Sequence, residues 1–273
     1  MRVAYLGPKG TFSEEAAIKY YQGQEIELVM YNTIIDVLEA VSEGQVDKGI
    51  VPIENAIEGT ITMTTDGLTN YPVWVEGEAV LPINLHLLGN TDAQLENIKE
   101  VFSIPPALAQ CRSFTKELGI EARQASSTAN AAQKIKESGR LDAGAIASEW
   151  AAKTFGLKSL QSNIQDFEGN RTRFLIVTGQ DSERVFVDKA MLLVSPREDR
   201  PGLLAAMLNV FSSLDINLTW IESRPTKRKL GTYRFFFETA EKTNEKDLQT
   251  AIQILETYGY EVRFLGSFQA KQL

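Results

Sequence analysis

Short apolar runs and amphipathic stretches alternate through the first half of the chain. Runs at Arg2 to Leu6, Ile26 to Tyr31 and Lys48 to Ile53 are separated by segments, about Ser13 to Tyr21 and Ile34 to Ser42, where apolar residues recur at helical spacing. Such alternation predicts βαβαβ, a parallel sheet with helices on its faces. The order then returns. Strands are expected at Val101 to Ser103, Glu121 to Ala125 and Ala143 to Ala147, with helices at Ala107 to Glu117 and Thr128 to Glu137.

One constant shift aligns the two runs, laying Thr33 on Thr128, Gly44 on Gly139, Asp47 on Asp142, Gly49 on Gly144 and Glu54 on Glu149. Thr33 and Thr128 suit helix N-caps, and Gly44 and Gly139 suit the left-handed residue that closes a helix. Gly49 and Gly144 suit tight strand packing. The glutamates fall just past the carboxyl ends of equivalent strands, the edge where open α/β sheets bind ligands. Two half-domains facing a cleft are therefore expected. Val73 to Leu88, interrupted by Pro82, reads as a crossover shared by both lobes, and Arg173 to Val177 returns to close the unit near residue 180. Gln180 to Glu183 reads as a polar linker.

The remainder has a different rhythm. Strands are expected at Ala190 to Ser195, Asn217 to Arg224, Tyr233 to Thr239 and Glu261 to Phe268. Helices are expected from Pro201-Gly202 through Ser213 and from Glu245 to Tyr258. That is βαββαβ, the ferredoxin-like plan, which by itself carries no activity.

Composition narrows the chemistry. The 273 residues, 43% of them apolar, fit about two domains at the usual domain size. One cysteine, Cys111, excludes an internal disulfide and fits a reducing, cytoplasmic setting, and the run after Met1-Arg2 is too short for a signal core or a membrane span. A net charge of -8 gives no field for nucleic acid or anionic membrane, so an anionic ligand must be held locally by arginines or helix N-termini. With one histidine and one cysteine, transition-metal ligand sets have too few members, so no metal site is expected.

Several segments could carry chemistry. Gly7-Pro8-Lys9-Gly10-Thr11-Phe12-Ser13 is a glycine-bracketed turn into a helix, a common folding device that also offers free N–H groups and Lys9 to an anion. Glu54-Asn55 leaves a strand towards the cleft, as a partly desolvated acid with an orienting amide or as a solvated turn. Ser126-Ser127-Thr128 has the chemistry of an N-cap and could also hold a carboxylate. In Asn170-Arg171-Thr172-Arg173-Phe174, strand alternation puts Thr172 and Phe174 on one face and Arg171 and Arg173 on the other. His86 and Cys111 read as packed, structural residues. Glu222-Ser223-Arg224-Pro225 ends a strand before the basic loop Thr226-Lys227-Arg228-Lys229, and Arg224 could hold an amino acid's charged groups.

In this order, and together with Val51-Pro52-Ile53-Glu54-Asn55, Gly59 and Ala107 to Cys111, these segments make the chain resemble the bacterial monofunctional prephenate dehydratases over essentially its whole length. The resemblance implies an α/β fold: a two-lobed, periplasmic-binding-protein-like catalytic domain at 1–180, with lobes of about 1–75 plus 170–180 and 76–169. A ferredoxin-like ACT regulatory domain at 188–268 follows. It implies conversion of prephenate to phenylpyruvate, water and carbon dioxide without a cofactor, because aromatisation drives the elimination. Thr172 is implied at the reacting centre with Glu54 and Glu149, and Lys9, Thr11, Asn55, Ser127, Thr128, Asn170, Arg171, Arg173 and Phe174 around the substrate. L-phenylalanine is implied as the effector of a homodimer or homotetramer, bound near Gly202, Leu203, Leu204, Asn217, Leu218 and Glu222 to Pro225. The chain departs from the family at Ala56, at Ser103-Ile104-Pro105-Pro106, where a Ser-His-Pro-Gln-like segment is usual, and at Gly202-Leu203-Leu204-Ala205. Arogenate dehydratase, acting on the amino analogue, is the nearest rival; a non-catalytic intracellular sensor of amino acids or organic anions is another.

Overall fold

The computed structural model describes residues 1–179, 188–198, 200–227 and 229–273. The expected linker at Gln180 to Glu183, the boundary at residue 180 and Arg228 lie outside these residues.

The first lobe is built on β1 (Arg2–Leu6), α1 (Phe12–Tyr20), β2 (Glu27–Tyr31), α2 (Ile34–Ser42) and β3 (Lys48–Asn55), continued by β4 (Gly59–Thr60), α3 (Thr62–Asn70) and β5 (Trp74–Pro82). The second contains β6 (His86–Gly89), β7 (Glu100–Ser103), α4 (Pro105–Gln110), α5 (Arg112–Glu117), β8 (Glu121–Gln124), α6 (Thr128–Ser138), β9 (Ala143–Ala147), α7 (Glu149–Phe155) and β10 (Lys158–Gln161). β11 (Arg171–Thr178) then returns to the first sheet, between β3 and β5 and antiparallel to both.

The repeat is visible in the pairing. β1 lies between β2 and β3, parallel to both, as β7 lies between β8 and β9. Gly44 and Gly139 have φ of 70° and 62°, the left-handed values for which glycine carries no side-chain penalty. Thr33 caps α2 through a capping box, whereas α6 is capped by Ser127, one residue earlier than expected, leaving Thr128 as the first helical residue. Two boundaries also differ. The expected helix from Ala107 to Glu117 breaks at Cys111 into α4 and α5. The run Val73 to Leu88 divides, β5 staying in the first sheet and β6 joining the second, so the lobe boundary falls after Pro82 and not at residue 75.

The C-terminal unit is β12 (Lys189–Pro196), α8 (Leu203–Ser213), β13 (Leu218–Pro225), β14 (Tyr233–Thr239), α9 (Glu245–Thr257) and β15 (Tyr260–Phe268), in sheet order β13-β14-β12-β15. One face carries Ala190, Leu192, Val194 and Phe237 under α8 and α9. The other, with Met191, Leu193, Trp220, Phe236, Leu265 and Phe268, packs into one core with Val41, Val51, Val75, Leu175 and Val177 of the first lobe. The first-lobe sheet covers the middle of this second face. Beyond the expected end at 268, β16 (Ala270–Gln272) runs parallel to β5 as the edge strand of that sheet.

Candidate active site

A cavity of about 580 Å3 opens between the lobes at the carboxyl ends of the parallel strands. Leu6, Met30, Pro52 and Phe174 come from the first sheet and its loops, and Ile104 and Ser126 to Thr128 from the second lobe. Four helix N-caps line it: Thr11 before α1, Ile61 before α3, Ile104 before α4 and Ser127 before α6. Thr11 and Ser127 accept hydrogen bonds from the N–H groups of Glu14 and Asn130. Ile61 has no side chain that can do so, which leaves first-turn N–H groups of α3 unused by a cap, whereas α4, after Ile104, opens on Pro105 and Pro106, which have no N–H to offer. The positive ends of several helices thus converge on a space that, among the described residues, is lined by no lysine, arginine, aspartate or glutamate.

Thr172 is held from behind by a chain of side-chain amides. Asn55 Nδ2 donates to Thr172 Oγ1 at 3.0 Å and to Asn170 Oδ1 at 2.9 Å, and Asn170 Nδ2 donates to Gln110 Oε1 of the second lobe at 2.9 Å. The other end of the Asn55 amide accepts from the N–H groups of Ile57 and Glu58, both at 3.0 Å, which sets its orientation. Among the described residues the Thr172 hydroxyl donates to no protein acceptor. One lone pair is engaged by Asn55, and its proton is free for a group in the cavity.

A one-residue bulge makes this arrangement. Phe174 pairs with Pro52, but Arg173 pairs with Glu54 and Thr172 with Asn55, so Ile53 is the extra residue of β3. Pairing without it would set Glu54 opposite Thr172. Pro52, which has no N–H to give to a ladder, sits where the irregularity tolerates it. The bulge brings Asn55 to the cavity face and turns Glu54 to the reverse face.

There Glu54 meets Arg173 at 3.2 Å, and the same guanidinium reaches Glu78 at 3.4 Å and Glu238 of β14 at 2.5 Å. Lys189 of β12 closes the cluster, 2.9 Å from Glu78 and 2.8 Å from Glu238. Burial opposes both cations, but Glu238, Glu78 and, for Arg173, Glu54 outweigh it, so both pKa values are raised. β11 thus has one face on the cavity, Thr172 and Phe174, and one face turned to the C-terminal domain, Arg173, Leu175 and Val177.

Seven of the twelve expected site residues are therefore not in the cavity lining. Glu54 and Arg173 are committed to each other on the reverse face. Arg171 is exposed, reaching Gln272, and Lys9 is exposed. Glu149, expected as the counterpart of Glu54, is instead the first residue of α7, with a 66% exposed side chain paired to Lys153 at 3.0 Å. The hydrogen bond and charge of Lys153 hold its pKa below the usual value, the wrong direction for a proton donor. Asn55 and Asn170 support Thr172 from behind. Thr11, Ser127, Thr128, Thr172 and Phe174 do line the cavity. Pattern reading missed Gln110 as a cross-lobe anchor, and Glu14, whose buried carboxylate accepts from Gly10 N–H, Tyr5 and Trp150 of the second lobe. A carboxylate beside the alanine pair of α1, on a face that should be buried, was the available signal for Glu14. Cys111 is a buried thiol whose pKa burial, with Asp166 nearby, pushes up to about 12. His86 is buried and lowered in pKa by desolvation.

The expected effector residues also separate. Trp220, Glu222 and Arg224 share the face of β13 that meets the first lobe: Thr60 donates to Glu222 at 3.0 Å, and Arg224 pairs with Asp66 at 3.1 Å. Leu203 is buried in the C-terminal core, whereas Gly202, Leu204, Asn217, Ser223 and Pro225 are exposed and Leu218 is half-buried.

The family model described as prephenate dehydratase matches residues 3–182, and the one described as ACT domain matches residues 193–257. The chain belongs to the prephenate dehydratase family. It is 35% identical to the prephenate dehydratase of Bacillus subtilis over 100% of both chains. It is 40% identical to the bifunctional chorismate mutase/prephenate dehydratase of Aquifex aeolicus, over 98% of this chain and 73% of that one. The crystal structure of prephenate dehydratase from Staphylococcus aureus superposes with a TM-score of 0.87 at 37% identity, covering 98% of this chain and 100% of that one. That of the Arthrobacter aurescens enzyme in complex with L-Phe gives 0.90 at 32% identity, covering 99% and 90%. The two-lobed α/β unit with a C-terminal ACT domain is thus the fold of the family.

Proposed function

We propose that the chain converts prephenate to phenylpyruvate in the inter-lobe cavity, with Thr172 as the catalytic residue at the departing hydroxyl. The observation that carries this is the Thr172 hydroxyl in the cavity lining, which accepts from Asn55 and donates to no acceptor among the described residues. The bond from the ring to its carboxylate breaks to release carbon dioxide. Its electron pair shifts through the ring and expels the para hydroxyl, which leaves as water once it gains one proton. Thr172 hydrogen-bonds that oxygen as charge develops on it, and solvent resupplies the proton. The other carboxylate is met by N–H groups at the helix N-termini around Thr11 and around Ser127 and Thr128. Phe12, Ile61, Ile104 and Phe174 give the leaving carboxylate a poorly solvating wall, which favours its loss.

The lining also bears on the substrate. Arogenate carries an ammonium where prephenate carries a keto oxygen, and no carboxylate lines the cavity to pair with it. An unpaired, desolvated ammonium is unfavourable by a few kcal/mol, so kcat/KM for prephenate should exceed that for arogenate by at least about tenfold. Parallel assays with ultraviolet detection of phenylpyruvate and chromatographic detection of phenylalanine measure the ratio; a ratio reversed in favour of arogenate refutes the reading.

L-phenylalanine is proposed as feedback inhibitor, supported by the ACT domain and by the L-Phe complex of the A. aurescens relative. The exposed Gly202, Leu204 and Asn217 with the outer face of β13 are the proposed contacts. Glu222 and Arg224 link that strand to β4 and α3 of the first lobe. β13 is an edge of its sheet with Ile221 exposed, which suits pairing with a second copy in a cytoplasmic homodimer or dimer of dimers. L-phenylalanine should lower turnover and raise the unfolding temperature in parallel, since it must bind better to the poorly competent state. Scanning calorimetry with and without it is the check; no shift and no inhibition overturns the assignment.

A further inference from the structure

The other end of α3 meets a second cavity. About 380 Å3 in volume, it lies where the underside of the ACT sheet meets the first lobe, among Thr69, Ser195, Thr226, Arg197, Arg234, Arg263 and Glu261. Three guanidinium groups face it against one carboxylate. Elsewhere at this junction cations are neutralised, Arg224 and Lys227 both pairing with Asp66. Among the described residues Arg197, Arg234 and Arg263 pair with no carboxylate.

Among the described residues Arg263 donates to the backbone carbonyls of Thr69, Tyr71 and Val73, at and just beyond the C-terminus of α3, and burial lowers its pKa. Arg234 donates through Nη2 to the Thr226 carbonyl, while its buried Nε has no hydrogen-bond partner. A partly buried cation held by neutral dipoles keeps its field, and several around one concavity in a chain of net charge -8 form a local well for an anion. Ser195 adds a hydroxyl group. None of Gly202, Leu204 or Asn217, proposed above for L-phenylalanine, lines it.

We propose that this junction cavity is a binding site for a small oxyanion with two negative charges, a phosphate ester or a dicarboxylate. The ligand bridges Arg197 and Arg234 of the ACT domain to the C-terminal end of α3, whose N-cap Ile61 lines the catalytic cavity. It therefore bears on the junction that joins regulatory and catalytic domains, without touching substrate. The proposal concerns a site separate from the proposed reaction, and basal prephenate turnover serves to tell the two apart.

The test is titration calorimetry on the full chain with inorganic phosphate and, separately, succinate, against sodium chloride of equal ionic strength. Saturable binding at one site is expected with at least one probe, and which probe binds identifies the source. Arg197→Gln, at an exposed position, and Arg234→Gln should each weaken binding about tenfold, the value of one charge-assisted contact. Glu261→Gln should tighten it severalfold by removing the one opposing charge. Basal turnover of Arg197→Gln and Glu261→Gln should equal that of the parent. Failure of both probes to bind overturns the proposal. So does affinity unchanged in Arg197→Gln and Glu261→Gln, or binding that phenylpyruvate displaces competitively, which places the anion in the catalytic cavity. Absent turnover in the parent chain with anion binding intact counts against the proposed reaction alone.

Discussion

Thr172→Val is expected to lower kcat for prephenate by roughly a thousandfold or more, the range seen when one well-placed hydrogen-bond donor or proton-transfer group is removed. The substitution replaces a hydroxyl by a methyl of similar shape. It should leave KM within a few-fold, because the substrate's retained carboxylate is assigned to the helix N-termini, and because the hydroxyl acts where charge develops in the transition state. The fold should survive. Asn55 Nδ2 loses one acceptor but keeps Asn170 Oδ1 and the Arg171 carbonyl, so the loss in stability is about 1 kcal/mol, that of one ordinary hydrogen bond. Steady-state kinetics with urea unfolding separates the two effects. A variant with near-normal kcat refutes the role of Thr172, and one with lost activity and a lost unfolding transition shows a structural role only.

Asn55 offers a graded companion to that test. Asn55→Leu removes the donor that fixes Thr172 Oγ1 but leaves the hydroxyl itself. Its kcat should fall about tenfold to a hundredfold, less than for Thr172→Val, because an untethered hydroxyl still samples the productive direction. A double variant no worse than Thr172→Val alone would place both residues in one unit.

Much of this was legible in the chain, for reasons that also explain what was not. Helical and strand periods reflect which side chains are buried, so βαβαβ, its repeat and βαββαβ could be read directly. So could the alternation of Thr172 and Phe174 against Arg173, because β11 is extended on both sides of the bulge in its neighbour. Glu54 could not. Its face depends on one extra residue in β3, set by pairing with a strand over a hundred positions away, and a single-residue slip reverses every side chain beyond it. The match of Glu54 to Glu149 failed for a related reason: the shared shift holds through the strands, but one glutamate is still in a strand and the other already begins a helix. The cation expected to clamp substrate was also misplaced. Arginines suggest anion binding by their charge, yet here the positive potential at the cavity comes from helix ends, which no single residue type announces. The signal for Arg173's true partners lay elsewhere, in Glu78, Lys189 and Glu238, charges set within or beside otherwise apolar strands. Such charges are retained in a buried sheet only when they meet opposite charges.

Arg173→Met is accordingly expected to destabilise the chain by about 3–5 kcal/mol, the usual consequence of breaking a buried ion cluster from one side. The loss does not measure the attraction of one pair. It arises because Glu238, fully buried, and Glu78, nearly so, are left with Lys189 as their sole cation, while Glu54 at the open edge can turn to water. Removing a leftover carboxylate should therefore recover stability. Arg173→Met combined with Glu238→Gln should be more stable than Arg173→Met alone by at least about 1 kcal/mol, although Glu238→Gln is itself destabilising. Arg173→Lys should fall between, since one ammonium cannot reproduce a fork that meets Glu54 through Nη1 and Glu78 and Glu238 through Nη2. Urea unfolding of the four variants closes the cycle, and strict additivity would mean that Arg173 and Glu238 are energetically independent despite their contact. The same variants bear on catalysis, because Arg173 is the next residue to Thr172 and Glu54 the next to Asn55. Loosening the reverse face of these strands should lower kcat even under conditions where each variant is fully folded, and a kcat unchanged in folded Arg173→Met would show that the catalytic face is rigid without its charged backing.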